Sequence, residues 1–162
     1  MLKTLITGAG GTIGSEIARQ VDGEKVLLDH CEYALYKIHR EVGGAPVLGN
    51  MTNINVLVSI GKTDKVYHSA AYKHVNMVEM NPIEGIYNNV VSTYNLSLIT
   101  KFVLISSDKA SNPKSVMGMT KRFCELLSET SVRFGNVLGS SGSVLPMWEY
   151  HMKNGLPLTV TH

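Results

Sequence analysis

LKTLITGAGGTIGSE, residues 2–16, joins a short apolar run to a cluster of glycines. Apolar residues then recur at helical spacing, as Ile13, Ile17 and Val21. Glycines between a strand and a helix let backbone amides approach a phosphate closely, at the positive end of the helix. Residues 2–16 therefore predict a strand, a turn and a helix that bind the pyrophosphate of a dinucleotide.

The turn contains Gly8, Gly10, Gly11 and Gly14. Three of these fit the pattern G-x-x-G-x-x-G, whereas the stricter G-x-G-x-x-G fails because Ile13 stands where its last glycine would be. Asp29 ends the next apolar strand, Val26 to Leu28, at the distance of about 20 residues expected for an acid that binds the ribose. A loop whose glycines only let the helix pack closely is the alternative, but the acid in register favours cofactor binding.

Apolar strands and amphipathic helices alternate through the rest of the chain. Further strands are predicted at Pro46–Leu48, Lys65–Ser69, Phe102–Ile105 and Ser131–Phe134. Helices are predicted at Glu32–Val42, Asn53–Ile60, Pro82–Thr100, Ser115–Ser128 and Met147–Lys153. Beyond Val137 we expect a glycine and serine loop (GSSGS) and a last extended piece, Pro157–Val160. The alternation predicts one Rossmann-like α/β domain over residues 1–162, a doubly wound parallel sheet with helices on both faces.

The 162 residues carry a net charge of +2 and a hydrophobic content of 44%, which is ordinary for a globular protein. There is no basic stripe, so nucleic acid is not an expected partner. No apolar run approaches the roughly 20 residues that span a bilayer, and no signal peptide is recognisable, so we expect a soluble, cytoplasmic protein. Cys31 and Cys124 have no CxxC or histidine spacing around them, so we expect neither a metal site nor a disulfide.

Polar and ionisable residues follow three of the predicted strands. They are Ala70–His74 after the fourth strand, Ser106–Lys109 after the fifth and Asn136 after the sixth. In an open parallel sheet, ligands bind beyond the carboxyl ends of the strands. These residues are therefore candidates for acid, base and positioning roles.

Several segments of the chain match one family pattern. They are TGAGGTIGSE, HSAAYKHV, MVEMNPIEGIYNNV, FVLISSDKASNPKSVMGMTKR, VRFGNVLGSSGSVLP and PLTVTH. Through them the chain resembles the extended short-chain dehydrogenase/reductase superfamily. More narrowly, it resembles the nucleotide-sugar 4,6-dehydratases of capsule and glycan biosynthesis, which act on UDP-N-acetylglucosamine. The SDKA and RFGNVLGSSGSV segments are the most specific, because general Rossmann proteins lack them.

The resemblance implies a catalytic set after the fifth strand. Lys109 would remove the C5 proton of the sugar once NAD has taken hydride from C4, since a desolvated lysine can have a lowered pKa. Asp108, if held protonated, would donate to the departing C6 hydroxyl, and Ser107 would hydrogen-bond the C4 oxygen. Lys121 would hold the nicotinamide ribose. Met117 stands at the position of the usual tyrosine base, as in the membrane-associated dehydratase subgroup.

The resemblance also implies the binding residues. For the cofactor they are Gly8, Gly10, Gly11, Thr12, Ile13, Gly14, Asp29, Asn50, Met51, Ala70, Ala71, Lys73 and Lys121. His74 and Asn136 are the candidate substrate-binding residues. Asp29 favours NAD, because a carboxylate repels the 2′-phosphate of NADP, and His30 beside it leaves NADP open. Asn50 stands where the family usually has an aspartate that reads the adenine.

The same residues also have purely structural interpretations. Asp108 and Lys109 can be a solvated charge pair in a turn, and Lys121 can belong to the exposed face of a helix. His74 can be a core histidine whose hydrogen bonds are satisfied internally. The family match favours the catalytic interpretation of Asp108 and Lys109.

Departures from the family pattern keep other functions open. The connections before the fifth and sixth strands look shortened, and we expect a C-terminal substrate lobe that is reduced or absent. One alternative is a non-catalytic NAD-binding remnant or regulatory subunit. Another is a nucleotide-sugar epimerase or reductase, which is less favoured because epimerases generally rely on the tyrosine absent at position 117. We expect a homo-oligomer, because Pro82–Thr100 and Ser115–Ser128 occupy positions that pair across a dimer in related enzymes.

Overall fold

Six parallel strands form one sheet in the described part of the chain, residues 1–140 and 144–158 of a computed structural model. The strands are β1 (Lys3–Thr7), β2 (Glu24–Asp29), β3 (Ala45–Leu48), β4 (Lys65–His68), β5 (Val103–Ser107) and β6 (Thr130–Phe134). Their order across the sheet is β3-β2-β1-β4-β5-β6. The predicted doubly wound parallel sheet is confirmed.

Helices connect the strands. They are α1 (Thr12–Gln20), α2 (Glu32–Val42), α3 (Ile54–Ile60), α4 (Val75–Met80), α5 (Pro82–Ile86), α6 (Ser92–Ser97), α7 (Val116–Leu126) and α8 (Val144–Lys153). A π-helical turn, Tyr87–Val91, joins α5 to α6, and we call this continuous run from Pro82 to Ser97 the long helix. A 3₁₀ turn, Asp108–Ala110, follows β5.

Apolar side chains cover both faces of the sheet. On β1, Leu5 belongs to one buried cluster and Ile6 to the other, because neighbouring residues of a strand point to opposite faces. The cluster of Ile6 is covered by α1 and α2, which contribute Ala18, Leu35 and Ile38. The cluster of Leu5 is covered by α3, the long helix and α7. Full burial of each large side chain contributes about 1.5–3 kcal/mol to stability, so both layers hold the sheet.

The strand order reverses direction between β1 and β4. From β1 the chain continues through β2 to β3 on one side, and from β4 through β5 to β6 on the other. The loops that leave the carboxyl ends of β1 and β4 therefore diverge and leave a crevice between them. This switch point is where open α/β sheets bind their ligands.

The structure differs from the sequence prediction in local details. Residues 75–80 form α4, a helix that the sequence analysis does not predict, because the segment is too short to show a helical repeat. Ser106 and Ser107 are the last residues of β5, where the strand was expected to end at Ile105. Of the expected GSSGS loop, residues 141–143 lie outside the described part of the chain, as do residues 159–160 of the expected extended piece.

Within residues 1–140 and 144–158, no helix combines the length and the apolar character needed to cross a bilayer. Cys31 is exposed, Cys124 is buried and both are free thiols. The described residues contain no group of three or more histidine, cysteine or acidic side chains arranged to hold a metal ion.

Candidate cofactor and active site

The glycine turn after β1 is closed tightly against its neighbours. Gly8 has a φ of +64°, and a side chain there would also approach the Cα atom of Ala70 to 2.7 Å. A side chain at Gly14 would clash with the carbonyl oxygen of Gly8, and one at Gly10 would meet the Cβ atom of Ala34. The backbone can pack this closely only without Cβ atoms, which also lets a phosphate approach the turn at the start of α1.

Asp29 stands at the end of β2 and is held by the backbone of two loops. Its Oδ2 atom accepts a hydrogen bond of 2.9 Å from the amide of Gly10, and its Oδ1 atom accepts one of 2.9 Å from the amide of Cys31. The residue is only 8% exposed. These bonds fix the carboxylate beside the glycine turn and leave each oxygen a second lone pair for a ligand hydroxyl.

A cavity of about 300 Å³ lies at the switch point, over the carboxyl ends of the first four strands. Eight of the predicted cofactor-binding residues line it, namely Gly8, Gly10, Gly11, Asp29, Asn50, Met51, Ala70 and Ala71. The other predicted cofactor residues, Thr12, Ile13, Gly14, Lys73 and Lys121, do not line it. The glycine turn, which has no room for a Cβ atom at Gly8, Gly10 or Gly14, suits the pyrophosphate of a dinucleotide, and the fixed carboxylate of Asp29 beside it suits the ribose.

The cavity wall includes polar residues that sequence reasoning missed, among them two on the long helix. Asn88 and Ser92 lie four residues apart on the long helix, both buried, and both line the cavity. Two polar residues at i and i+4, on one face of the helix, were the available signal. His30 also lines the cavity, and its ring meets the edge of Tyr72 at a centroid distance of 6.2 Å.

Three of the four predicted catalytic residues, Ser107, Asp108 and Lys109, meet Asn136 at the carboxyl ends of β5 and β6. The Nζ atom of Lys109 lies 3.1 Å from Oδ1 of Asp108 and 3.4 Å from Oδ1 of Asn136. The hydroxyl of Ser107 donates to Oδ1 of Asp108 over 3.0 Å and accepts from the backbone amide of Lys109 over 3.2 Å. The cluster therefore links a hydroxyl, a carboxyl group and an amine through direct hydrogen bonds.

Asp108 is a carboxylate in this arrangement. The hydrogen bond from Lys109 lowers the pKa of Asp108 below its ordinary value of 3.8, and the bond from Ser107 lowers it further. The side chains of Lys109 and Asp108 remain 41% and 55% exposed, so a ligand can reach both. A proton-donating role for Asp108 therefore requires that it gain a proton during the reaction.

Lys121 is directed inward, not toward the cavity. Its Nζ atom donates a 2.6 Å hydrogen bond to the carbonyl oxygen of Ile105, and the residue is only 6% exposed. Burial lowers its pKa. The expectation that Lys121 could belong to an exposed helix face is not met. Met117, one helical turn earlier on α7, is also buried.

Lys73 and His74 lie between β4 and α4. Lys73 Nζ donates to the hydroxyl of Ser140 over 3.3 Å, and burial lowers the pKa of this lysine. This contact joins the loop after β4 to the loop after β6. His74 is exposed at the start of α4, so it is not the core histidine considered as an alternative.

A buried carboxylate holds the edge strand that leads to Asn136. Glu125 on α7 accepts hydrogen bonds from Ser106 on β5, from Arg133 on β6 and from Arg122 on its own helix. Among residues 1–140 and 144–158, β6 pairs with β5 alone and forms an edge of the sheet. The network therefore connects α7 to both strands whose ends hold the predicted catalytic cluster.

Comparison with known proteins identifies the family. Residues 4–162 match the family described as polysaccharide biosynthesis protein, and the chain belongs to that family. The resemblance seen in the sequence is thereby confirmed. The capsular polysaccharide biosynthesis protein CapD of Staphylococcus aureus is 45% identical over 190 residues, which cover 98% of this chain and 32% of CapD. The chain thus spans about a third of the length of that relative.

Solved structures confirm the fold. Pen from Bacillus thuringiensis superposes with a TM-score of 0.89 at 32% identity, covering 99% of this chain and 58% of Pen. WbmF from Bordetella bronchiseptica, solved in complex with NAD+, has a TM-score of 0.78 at 18% identity and covers 99% of this chain and 62% of WbmF. WbmF therefore demonstrates that a protein of this fold holds NAD+.

The alignment with CapD is longer than the 162 residues of this chain, so CapD has residues within the matched region that this chain lacks. This agrees with the short connections of the structure. Only residues 98–102 separate the long helix from β5, and only residues 127–129 separate α7 from β6.

Proposed function

We propose that this chain carries the cofactor site and catalytic cluster of an NAD(P)-dependent nucleotide-sugar 4,6-dehydratase, a lyase of polysaccharide biosynthesis. The observation that carries the proposal is the adjacency of two features at one edge of the sheet. The glycine turn with Asp29 suits a dinucleotide, and Ser107, Asp108, Lys109 and Asn136 form a hydrogen-bonded cluster beyond the neighbouring strands. A UDP-N-acetylhexosamine is the substrate class that the family resemblance favours.

The dinucleotide would supply the redox chemistry, because it takes a hydride from C4 of the sugar and returns it at C6. Gly8, Gly10 and Gly11 would face its pyrophosphate, and Asp29 would accept hydrogen bonds from the adenosine ribose. A carboxylate at this place repels a 2′-phosphate, which favours NAD. His30 on the cavity wall is the residue through which NADP remains an alternative.

Lys109 would remove the C5 proton, and Asp108 would protonate the departing C6 hydroxyl. The two side chains stand as an ammonium and a carboxylate joined over 3.1 Å. Transfer of one proton along this bond gives a neutral amine and a carboxylic acid, which are the forms the two roles require. Enclosure by a sugar would favour this neutral pair, since desolvation disfavours charge on both groups. Ser107 would bond the C4 oxygen, and Asn136 would hold the lysine and the sugar.

A second candidate function is NAD binding without catalysis. The inward direction of Lys121 favours it, because the amine expected at the nicotinamide ribose is bonded to the backbone of β5. An epimerase or reductase is less favoured, because the thioether of Met117 cannot act as the base that these enzymes generally use. Retention of Asp108 and Lys109 in one hydrogen-bonded cluster favours the dehydratase.

The proposal is tested by incubating the protein with NAD and UDP-N-acetylglucosamine and following the sugar by mass spectrometry and proton NMR. A dehydratase gives a 4-keto-6-deoxy sugar that is lighter by one water. Lys109→Ala should abolish the product, whereas Lys101→Ala, which removes an exposed lysine paired with Glu129, should not. Bound NAD with no conversion of any nucleotide sugar in a panel would instead favour the non-catalytic function.

We further propose that the chain forms a homo-oligomer through the long helix and α7. The two helices pack against each other and expose apolar side chains, among them Ile83, Tyr87, Met119 and Phe123. Analytical ultracentrifugation should give a dimer or larger species, and Phe123→Glu should shift it toward the monomer. Because nucleotide sugars and dinucleotides are made in the cytoplasm, we place the activity there.

A further inference from the structure

The side chain of Asn89 is buried at the centre of a polar network. The residue is 1% exposed, and its amide uses its full hydrogen-bonding capacity. Oδ1 accepts from the backbone amide of Tyr72 over 2.7 Å and from Asn88 over 3.0 Å. Nδ2 donates to the carbonyl of Tyr72 over 3.0 Å and to the hydroxyl of Thr120 over 3.0 Å. Asn89 therefore holds both backbone groups of one residue in the loop after β4.

Asn89 lies within the π-helical turn of the long helix. Such turns bond i to i+5 and are found frequently at functional sites. The carbonyl oxygen of Asn89 is available to side chains, and it accepts from the hydroxyl of Thr93 over 2.6 Å and from the thiol of Cys124 over 3.2 Å. The turn thus uses both the side chain and the backbone of Asn89 to join the long helix to its surroundings.

A buried histidine connects this turn to β1. The hydroxyl of Thr93 donates a hydrogen bond to the carbonyl oxygen of Asn89. The Thr93 oxygen must therefore accept from Nε2 of His68, which lies 2.8 Å away. Nδ1 of His68 then accepts from the hydroxyl of Thr7 over 2.7 Å. Burial lowers the pKa of His68 to about 3, so the ring is neutral and keeps this single tautomer at physiological pH. The long helix is therefore fixed relative to the strand that begins the glycine turn.

Asn95 makes the corresponding contact with the loop after β3. Its Nδ2 atom donates to the carbonyl oxygens of Met51 and Thr52 over 3.0 and 3.1 Å. Met51 lines the cavity from that loop, and Ala71, next to Tyr72, lines it from the loop after β4. Asn88 and Ser92 of the same helix form part of the cavity wall.

We propose that Asn89 and Asn95 are positioning residues through which the long helix sets the separation of the two loops that enclose the cofactor cavity. The inference rests on the proposed function only in naming a dinucleotide as the ligand. Neither amide lines the cavity, so each acts through the backbone of a loop and not through the ligand itself.

The test compares Asn89→Leu and Asn95→Leu with the wild type and with Ser97→Ala. Ser97 lies on the same helix, and its hydroxyl bonds only to the carbonyl of Tyr94 within that helix, so it is the matched control. Hydrogen exchange measures the amide of Tyr72 in the ligand-free protein, and titration calorimetry measures the Kd for NAD. Thermal unfolding verifies that each variant is folded.

We expect Asn89→Leu to accelerate exchange of the Tyr72 amide at least tenfold and to raise the Kd for NAD roughly tenfold, as loss of several buried hydrogen bonds implies. Asn95→Leu should raise the Kd to a similar degree without changing exchange at Tyr72, and Ser97→Ala should change neither. If Asn89→Leu does not fold, Thr120→Val removes one bond of the same amide and should give the same changes at smaller size.

Unchanged affinity in both asparagine variants, with only a lower melting temperature, would overturn the proposal, because their role would then be stability alone. If the wild type does not bind NAD, the proposed function fails. The exchange of Tyr72 still decides whether Asn89 holds the loop, since that measurement needs no ligand. Wild-type exchange at Tyr72 in Asn89→Leu would refute that role.

Discussion

Glu125 and Arg133 form a two-point ion pair between α7 and the edge strand β6, with both N···O distances at 2.8 Å. The hydroxyl of Ser106 on β5 donates to the same carboxylate over 2.7 Å. One buried charge thus ties together the helix and the two strands whose ends bring Lys109 and Asn136 into contact.

Glu125→Gln should lower the free energy of unfolding by about 2 kcal/mol at pH 7, because it leaves Arg133 without its charged partner. The hydrogen bonds from Arg133 lower the pKa of Glu125 from 4.5 to about 2, so the stabilisation is complete above about pH 4.5 and is lost as the pH falls toward 2. Urea unfolding at pH 7 and pH 3 should therefore show a smaller difference between variant and wild type at pH 3. Glu16→Gln, in an exposed pair with Arg19, should change the free energy of unfolding much less than Glu125→Gln does.

Gly14→Ala should abolish dinucleotide binding, because the added methyl group would force the carbonyl of Gly8 out of the turn. Gly135→Ala is the matched control, since a Cβ atom there meets nothing within 4 Å. Calorimetric titration with NAD measures both. Wild-type affinity in Gly14→Ala would contradict the close packing of the turn.

Asp29→Asn should weaken NAD binding roughly tenfold and bring the Kd values for NAD and NADP closer together. The amide keeps one hydrogen-bond acceptor but loses the charge that repels a 2′-phosphate. It also puts an NH2 group in the place of one carboxylate oxygen, so the side chain can accept from the amide of Gly10 or of Cys31 but not from both. Parallel titrations with the two cofactors test this, and Asp22→Asn on the surface should leave both affinities unchanged.

Lys109→Met should raise the pKa of Asp108 toward its ordinary value of 3.8, because the hydrogen bond from Lys109 is the main cause of its lowering. Ser107→Ala should raise the pKa in the same direction by a smaller amount, since its bond also lowers the pKa. The carbon-13 shift of the Asp108 carboxyl group, followed from pH 2 to pH 6, measures both changes. An identical titration in all three proteins would mean that the hydrogen bonds of the cluster do not form in solution.

The parts of the fold and site that sequence could predict are those in which one residue type is physically required. The glycine turn is an example, because Gly8 and Gly14 occupy places that exclude any side chain. Asp29 was predictable for a related reason, since the end of the second strand in this fold places an acid beside the turn. The alternation of strands and helices follows from apolar periodicity in the same direct way.

The contacts missed by sequence reasoning depend on which elements become neighbours. Asn136 meets Lys109 only because β6 pairs with β5, a relationship that no local pattern records. Asn88 and Asn89 are neighbouring residues of one helix with the same side chain. The sequence therefore does not indicate that Asn88 lines a cavity whereas Asn89 holds a loop. The inward direction of Lys121 was missed for the same reason. Its amine donates a hydrogen bond to the backbone carbonyl of Ile105, and a backbone acceptor cannot be recognised in a pattern of side chains.

The π-helical turn makes the long helix tolerant of a change in chain length at one place. It bonds i to i+5 and therefore holds one residue more than an α-helical turn. Removal of a single residue there, other than Asn89, would restore α-helical bonding and leave Ser92 and Asn95 on the faces they now occupy. A deletion after residue 91 has no such turn to absorb it. Each residue of an α-helix rotates the chain by about 100°, so Asn95 would then turn away from Met51.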